Sequence, residues 1–191
     1  SIINDVLDLS KAEAGKLQLD EQAVPRQETL DFYRSCGMDE AIYQQRASER
    51  PFNFADVVAP MPLGFKRIKQ GDVIQIGGRT WDVHIGNGHA PEHATFWSQG
   101  DNLVLSGDQI LPSISSNIGV YATEPEADPV ADWLEACERL ANYARDDQLI
   151  LGGHKLPFTG APLRMRQLID NHHGALKRLV GHLDTPQTAA E

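Results

Sequence analysis

The stretch Gly86-Asn87-Gly88-His89-Ala90-Pro91-Glu92-His93-Ala94 constrains this chain most. It lies between Arg79–Ile85 and Thr95–Trp97, two runs rich in β-branched and aromatic residues, so it joins two expected strands. Glycine lets a backbone turn sharply and come close to a ligand, and neutral imidazole is the commonest metal ligand. The loop is therefore expected to form one wall of a metal site. Ser106-Gly107-Asp108 and Gly152-Gly153-His154 repeat the arrangement after two further short runs, Leu103–Leu105 and Leu149–Leu151. A candidate ligand after each of three strands suits a layered α/β fold, where sites form beyond the carboxyl ends of strands.

Composition narrows the function. The 191 residues suffice for one domain with a real core, and 41% are hydrophobic. A net charge of −10 with no basic cluster argues against nucleic acid as a partner. Cys36 and Cys137 form no C-x-x-C pair, which argues against a thiolate zinc site and a disulfide framework. Cys137 falls on an apolar helical stripe and is expected to be a buried, inert thiol. No apolar run is long enough for a membrane span, and no signal peptide opens the chain. A reduced, cytoplasmic setting and no membrane partner are the expectations.

In chain order, residues 1–17 are expected to form an amphipathic helix and residues 25–50 a polar one. Prolines make 51–64 an extended connection. Asp72–Ile76 and Arg79–Ile85 flank Gly77-Gly78, a hairpin signal. Thr95–Trp97 and Leu103–Leu105 make a second hairpin, and His84 reads as a half-exposed strand residue. Residues 109–128 form a long loop bordering the pocket, with Ser113, Ser115, Ser116, Asn117 and Tyr121 on it. Asp128 caps a helix opened by Pro129. A last helix, about Pro162 to Leu183, turns Met165, Leu168, Ile169, Leu176, Leu179, Val180 and Leu183 inward. His172 shares that stripe as a satisfied core histidine, while His173 and His182 are surface residues.

Two imidazoles and a carboxylate, His89, His154 and Asp108, suit zinc better than magnesium or calcium. An aspartate can also bridge two ions. Residues 28–183 resemble the later part of a metallo-β-lactamase-superfamily hydrolase. The matching motifs are Gly88-His89-Ala90-Pro91-Glu92-His93, Leu105-Ser106-Gly107-Asp108-Gln109-Ile110-Leu111 and Gly153-His154, with Glu124-Pro125-Glu126-Ala127-Asp128-Pro129 and Asp132-Trp133-Leu134 between the last two. The resemblance implies a truncated αββα sandwich with His89 on one metal, Asp108 as bridge and catalytic residue, and His154 on a second metal. It carries over no ligand role to His93, which is expected to buttress the loop; Glu92 either orients the loop or is solvated. The implied reaction is hydrolysis of an ester, thioester or amide in a small-molecule substrate.

The family's H-x-H-x-D-H motif should precede these residues, yet residues 1–70 contain no histidine. Impaired or absent catalysis is therefore expected. Residues 1–24 instead resemble the second dimerisation helix of a sensor histidine kinase, without its phosphoacceptor or ATP-binding motifs. The chain thus reads as a join of a kinase-like helix (1–24) and a partial hydrolase domain (25–191). Loss of the first strands would uncover apolar sheet surface, so a homodimer or larger homo-oligomer is expected. The alternatives are a non-catalytic fusion remnant and a kinase-associated sensing or dimerisation module.

Overall fold

A computed structural model describes residues 26–49 and 66–185. The expected helix at 1–17, the kinase-like segment at 1–24 and the extended connection at 51–64 lie outside the described residues. The described chain contains α1 (Arg26–Ser35), α2 (Glu40–Ser48), β1 (Val73–Ile76), β2 (Arg79–Gly86), β3 (His93–Ser98), β4 (Leu103–Gly107), α3 (Pro129–Ala141), β5 (Leu149–Gly152) and α4 (Ala161–His182). It divides into two compact units. One holds Lys66–Gly119 and Asp128–Ala175; the other holds 26–49, Val120–Ala127 and 176–185.

The first unit is built on a five-stranded sheet in the order β1-β2-β3-β4-β5. The first three pairings are antiparallel and the β4–β5 pairing is parallel. Gly77 and Gly78 have φ of +59° and +76° and form the two-residue turn between β1 and β2, a conformation that matches strand twist and favours glycine. Parallel β4 and β5 need a crossover, which α3 supplies. The Asp128 carboxylate accepts from the Ala131 N–H at 3.0 Å and caps that helix. The ladder shifts register between Leu105 and Gly107, so β4 leaves the sheet irregularly just before Asp108.

Period-two alternation gives the sheet two apolar faces. Trp97, Val104 and Ile150 meet Trp133, Cys137 and Leu140 of α3 and Ala161, Met165 and Leu168 of α4. The other face carries Trp81, Val83, Ala94 and Phe96, with Ile74, Ile76, Ile85, Leu103 and Leu105 beside them. A complete αββα sandwich would lay a second sheet there; among the described residues there is one sheet.

Two helix expectations are corrected. The polar helix expected over 25–50 is two helices in the second unit. Gly37, at φ +96°, ends α1, with the Met38 N–H bonded to the Tyr33 carbonyl at 3.1 Å and the Gly37 N–H to the Arg34 carbonyl at 3.0 Å. That left-handed stop commonly ends helices at glycine, and Asp39 then caps α2 through the Ala41 N–H at 2.8 Å. The inward stripe expected to reach Leu183 ends early. Met165 and Leu168 are buried, whereas Leu176, Leu179, Val180 and Leu183 are 41–71% exposed. A helix of 22 residues spans about 33 Å and outruns the core it packs on.

Candidate metal centre

Three loops leave neighbouring parts of the sheet and bring His89, Asp108 and His154 together. The Gly86–His93 loop between β2 and β3 is seated by Gly88. Its φ is +86°, and a side-chain carbon there would collide with Trp133 and the Pro129 carbonyl of α3. The Gly153 N–H donates to the Gly107 carbonyl at 2.9 Å, drawing the chain after β5 against the chain after β4. Gly153 lies so close to Asp108 that a Cβ would strike its Oδ1.

His89 Nε2 lies 3.3 Å from Asp108 Oδ2, and His154 Nε2 lies 3.4 Å from the same oxygen. The His89 and Asp108 side chains are 11% and 12% exposed, while His154 stands at the rim, 62% exposed. His89 Nδ1 is 2.8 Å from the Asn117 carbonyl. A carbonyl can only accept, so Nδ1 carries the proton and the lone pair of neutral His89 is on Nε2. Nε2 is buried and makes no well-aligned hydrogen bond. The donor types, two imidazoles and a carboxylate, are ones that zinc accepts. The set is incomplete, however: among the described residues no group of three or more His, Cys, Asp or Glu side chains gathers tightly enough to hold a metal by itself. The histidines meet at one carboxylate oxygen rather than closing around a common centre.

Backbone strain marks the same place. Among the described residues, Glu92 at φ +50° and Lys155 at φ +71° are the non-glycine residues with positive φ. One lies between His89 and His93, and the other follows His154. Such strain costs on the order of 1–3 kcal/mol per residue and clusters at functional sites. Glu92 forms an ion pair with Arg67. His93 is 1% exposed at the start of β3, its ring centroid 5.8 Å from that of His89.

The other histidines lie elsewhere. His84, expected to be half-exposed, is buried, stacked on Tyr143 with centroids 3.8 Å apart. Gln70 Oε1 accepts from the Ile85 N–H at 2.8 Å, so its Nε2 donates to His84 Nδ1 at 2.9 Å. That bond requires a neutral ring, and burial pushes its pKa below the usual value of 6.5, against a raising effect from Asp82. His172 donates to the Leu168 carbonyl at 2.9 Å and lies against Trp133. His173 and His182 are exposed. Cys137 is fully buried in the core against α4 and the sheet, and burial pushes its thiol up to about 12.

The sequence places Asn117 on the loop expected to border the pocket but gives no sign that it orients His89. Asn117 acts through its carbonyl, which any residue type supplies, so only its place on a long loop beside the site could have hinted at it.

Searched against known proteins, the chain matches no family model and no curated protein. It does match solved structures. A beta-lactamase domain protein from Burkholderia ambifaria is 35% identical, with a TM-score of 0.67, over 83% of this chain and 48% of that one. A metallo-β-lactamase family protein from Thermus thermophilus is 23% identical, with a TM-score of 0.65, over 94% of this chain and 54% of that one. The fold is metallo-β-lactamase-like. The chain spans about half the length of these metallo-β-lactamase-like structures. Among the described residues, no helix is long and apolar enough to cross a membrane.

Proposed function

We propose that this chain is the later part of a zinc-dependent hydrolase of the metallo-β-lactamase superfamily, with impaired or absent activity. The observation that carries the reading is the approach of His89 Nε2 and His154 Nε2 to one oxygen of Asp108, at 3.3 and 3.4 Å. His89, Asp108 and His154 would hold the metal. Zinc, when bound, polarises a carbonyl and makes water a usable nucleophile near neutral pH. Asp108 is the residue on which both imidazoles converge and is the catalytic one. The Asn117 carbonyl orients His89, and buried His93 supports the loop beneath it. Glu92, paired with Arg67, fixes the loop's outer turn. The substrate would be a small ester, thioester or amide, in a cytoplasmic setting suited to free Cys36 and Cys137.

The alternative, a non-catalytic remnant, is favoured by one observation: no group of three ligands closes among the described residues. A screen of generic ester, thioester and amide substrates with zinc-loaded protein separates the two. Hydrolysis abolished by Asp108→Ala supports the hydrolase. Hydrolysis that survives Asp108→Ala removes Asp108 from the mechanism, and no turnover of any substrate favours the remnant.

A further inference from the structure

Gln70, just before β1, ties residues 66–70 to β2 through a side chain with no spare orientation. Its Oε1 accepts from the Ile85 N–H at 2.8 Å and from Arg139 Nη1 at 3.4 Å, so its Nε2 faces His84 Nδ1, 2.9 Å away. Nδ1 is therefore an acceptor, and the neutral ring carries its proton on Nε2. The ring is buried, stacked on Tyr143 and edge-on to Trp97. The charged and titratable groups around it are Asp82 of β2, Arg139 of α3 with its partner Glu135, and the Tyr143 phenol. From β3 come the uncharged Trp97 and Thr95. Asp72, beside Gln70, is engaged by the Lys69 N–H at 3.0 Å. A proton on His84 Nδ1 would point at the hydrogens of the Gln70 amide. Turning that amide over would point them instead at the Ile85 N–H and the Arg139 guanidinium. Donor meets donor either way, so no orientation of Gln70 satisfies a charged ring.

We propose that Gln70 and His84 form an acid-released latch: protonation of His84 frees residues 66–70 from β2 and, through the Arg67–Glu92 ion pair, loosens the outer turn of the His89 loop. The latch works through protein groups alone and is independent of the zinc reading. Gly71 and Asp72 keep main-chain bonds to Val83 at 2.9 and 2.8 Å and serve as the hinge. Burial holds the pKa of the latched ring below the usual 6.5; Asp82 opposes this and Arg139 adds to it. The released, solvated ring titrates nearer its ordinary value. A group whose pKa is depressed in the closed state supports that state at higher pH and withdraws its support as pH falls. One proton is taken up on release, so the open population rises by up to about ten-fold per pH unit below about 6.5, until the closed ring itself titrates.

The test is amide hydrogen exchange of the full chain, read by NMR from neutral to mildly acid pH alongside titration of the His84 ring. The Ile85 amide reports the latch. The Ile150 amide, bonded to the Phe158 carbonyl at 2.8 Å in the core, reports global opening. Corrected for intrinsic exchange rates, Ile85 protection should fall by up to about ten-fold per pH unit while Ile150 keeps its own. Gln70→Glu should reverse the sign, because a carboxylate accepts from the Ile85 N–H, from Arg139 and from an imidazolium alike. In that variant the His84 pKa rises and Ile85 gains protection in acid. Arg67→Gln should leave the Ile85 response intact but uncouple the Glu92 amide shift from the His84 titration. Wild-type Ile85 protection that ignores pH, or that falls only in parallel with Ile150, overturns the latch, as does an acid loss in folded Gln70→Glu. If Gln70→Glu does not fold, the wild-type comparison decides together with His84→Gln, where an acid loss of Ile85 protection overturns the latch. A Glu92 shift that does not follow the His84 titration in wild type overturns the link to the His89 loop.

Discussion

Replacing Gly153 by alanine perturbs the site at one atom. Gly153 lies outside the left-handed region, so alanine suits its backbone, and the whole penalty is steric. The new Cβ would collide with Asp108 Oδ1, whereas the next neighbours, Asp108 Cγ and the Gly107 carbonyl carbon, stand at 3.2 and 3.5 Å. Overpacking usually costs about 1–3 kcal/mol. A collision confined to a terminal oxygen is relieved by turning the carboxylate, so the stability loss should sit at the low end, about 1 kcal/mol. In a protein of this size that lowers the melting temperature by roughly 2–4 °C. Turning Oδ1 also turns Oδ2, the oxygen both histidines approach, so the larger effect falls on zinc affinity. A ten-fold weakening corresponds to about 1.4 kcal/mol. Thermal melts of metal-free protein and chelator competition measure the two parts separately. Gly100→Ala, with open space around it, is the neutral control. A Gly153→Ala protein with wild-type melting and wild-type zinc affinity would refute the packing of Gly153 against Asp108.

Further outcomes follow from buried and exposed groups. The depressed pKa of His84 means that its neutral folded ring takes up a proton less readily than the unfolded chain. Its contribution to stability should be complete above about pH 6.5 and should decline as pH falls through its folded value. Urea unfolding across that range should show a shallower acid decline in His84→Gln, and an unchanged slope would count against the assignment. In folded protein, a thiol reagent should modify Cys36 and spare Cys137, whose thiol is pushed up to about 12; rapid labelling of both would contradict that burial. Self-association is proposed from the exposed Leu176, Leu179, Val180 and Leu183, spaced at three and four residues. Light scattering should then give a mass above 21.1 kDa, and a clean monomer would sink the proposal.

Much of the sheet unit was legible because its signals are local. Gly77-Gly78 needed only the turn it forms, and Asp128-Pro129 needed only the helix end it caps. The strand ends after which His89, Asp108 and His154 occur were likewise marked by glycine. What escaped depends on tertiary surroundings. The burial of His84 follows from Gln70 and Tyr143, both distant in sequence. The break at Gly37 had a local signal, but a continuous polar pattern outweighed it. The exposed end of α4 follows from where the core stops, which periodicity alone does not encode. The segment after Asp108 is hardest to read: Asn117 acts through a carbonyl, and Arg164 reaches main-chain groups about fifty residues away, the Leu111 and Ile114 carbonyls.

The central claim is that His89, Asp108 and His154 still hold a metal. Zinc content after growth and dialysis in zinc, compared among wild type, His89→Ala and His154→Ala, tests it most directly. Zinc bound near stoichiometrically by wild type and lost from both variants is the predicted result. Zinc absent from wild type, or retained undiminished in both variants, would contradict it.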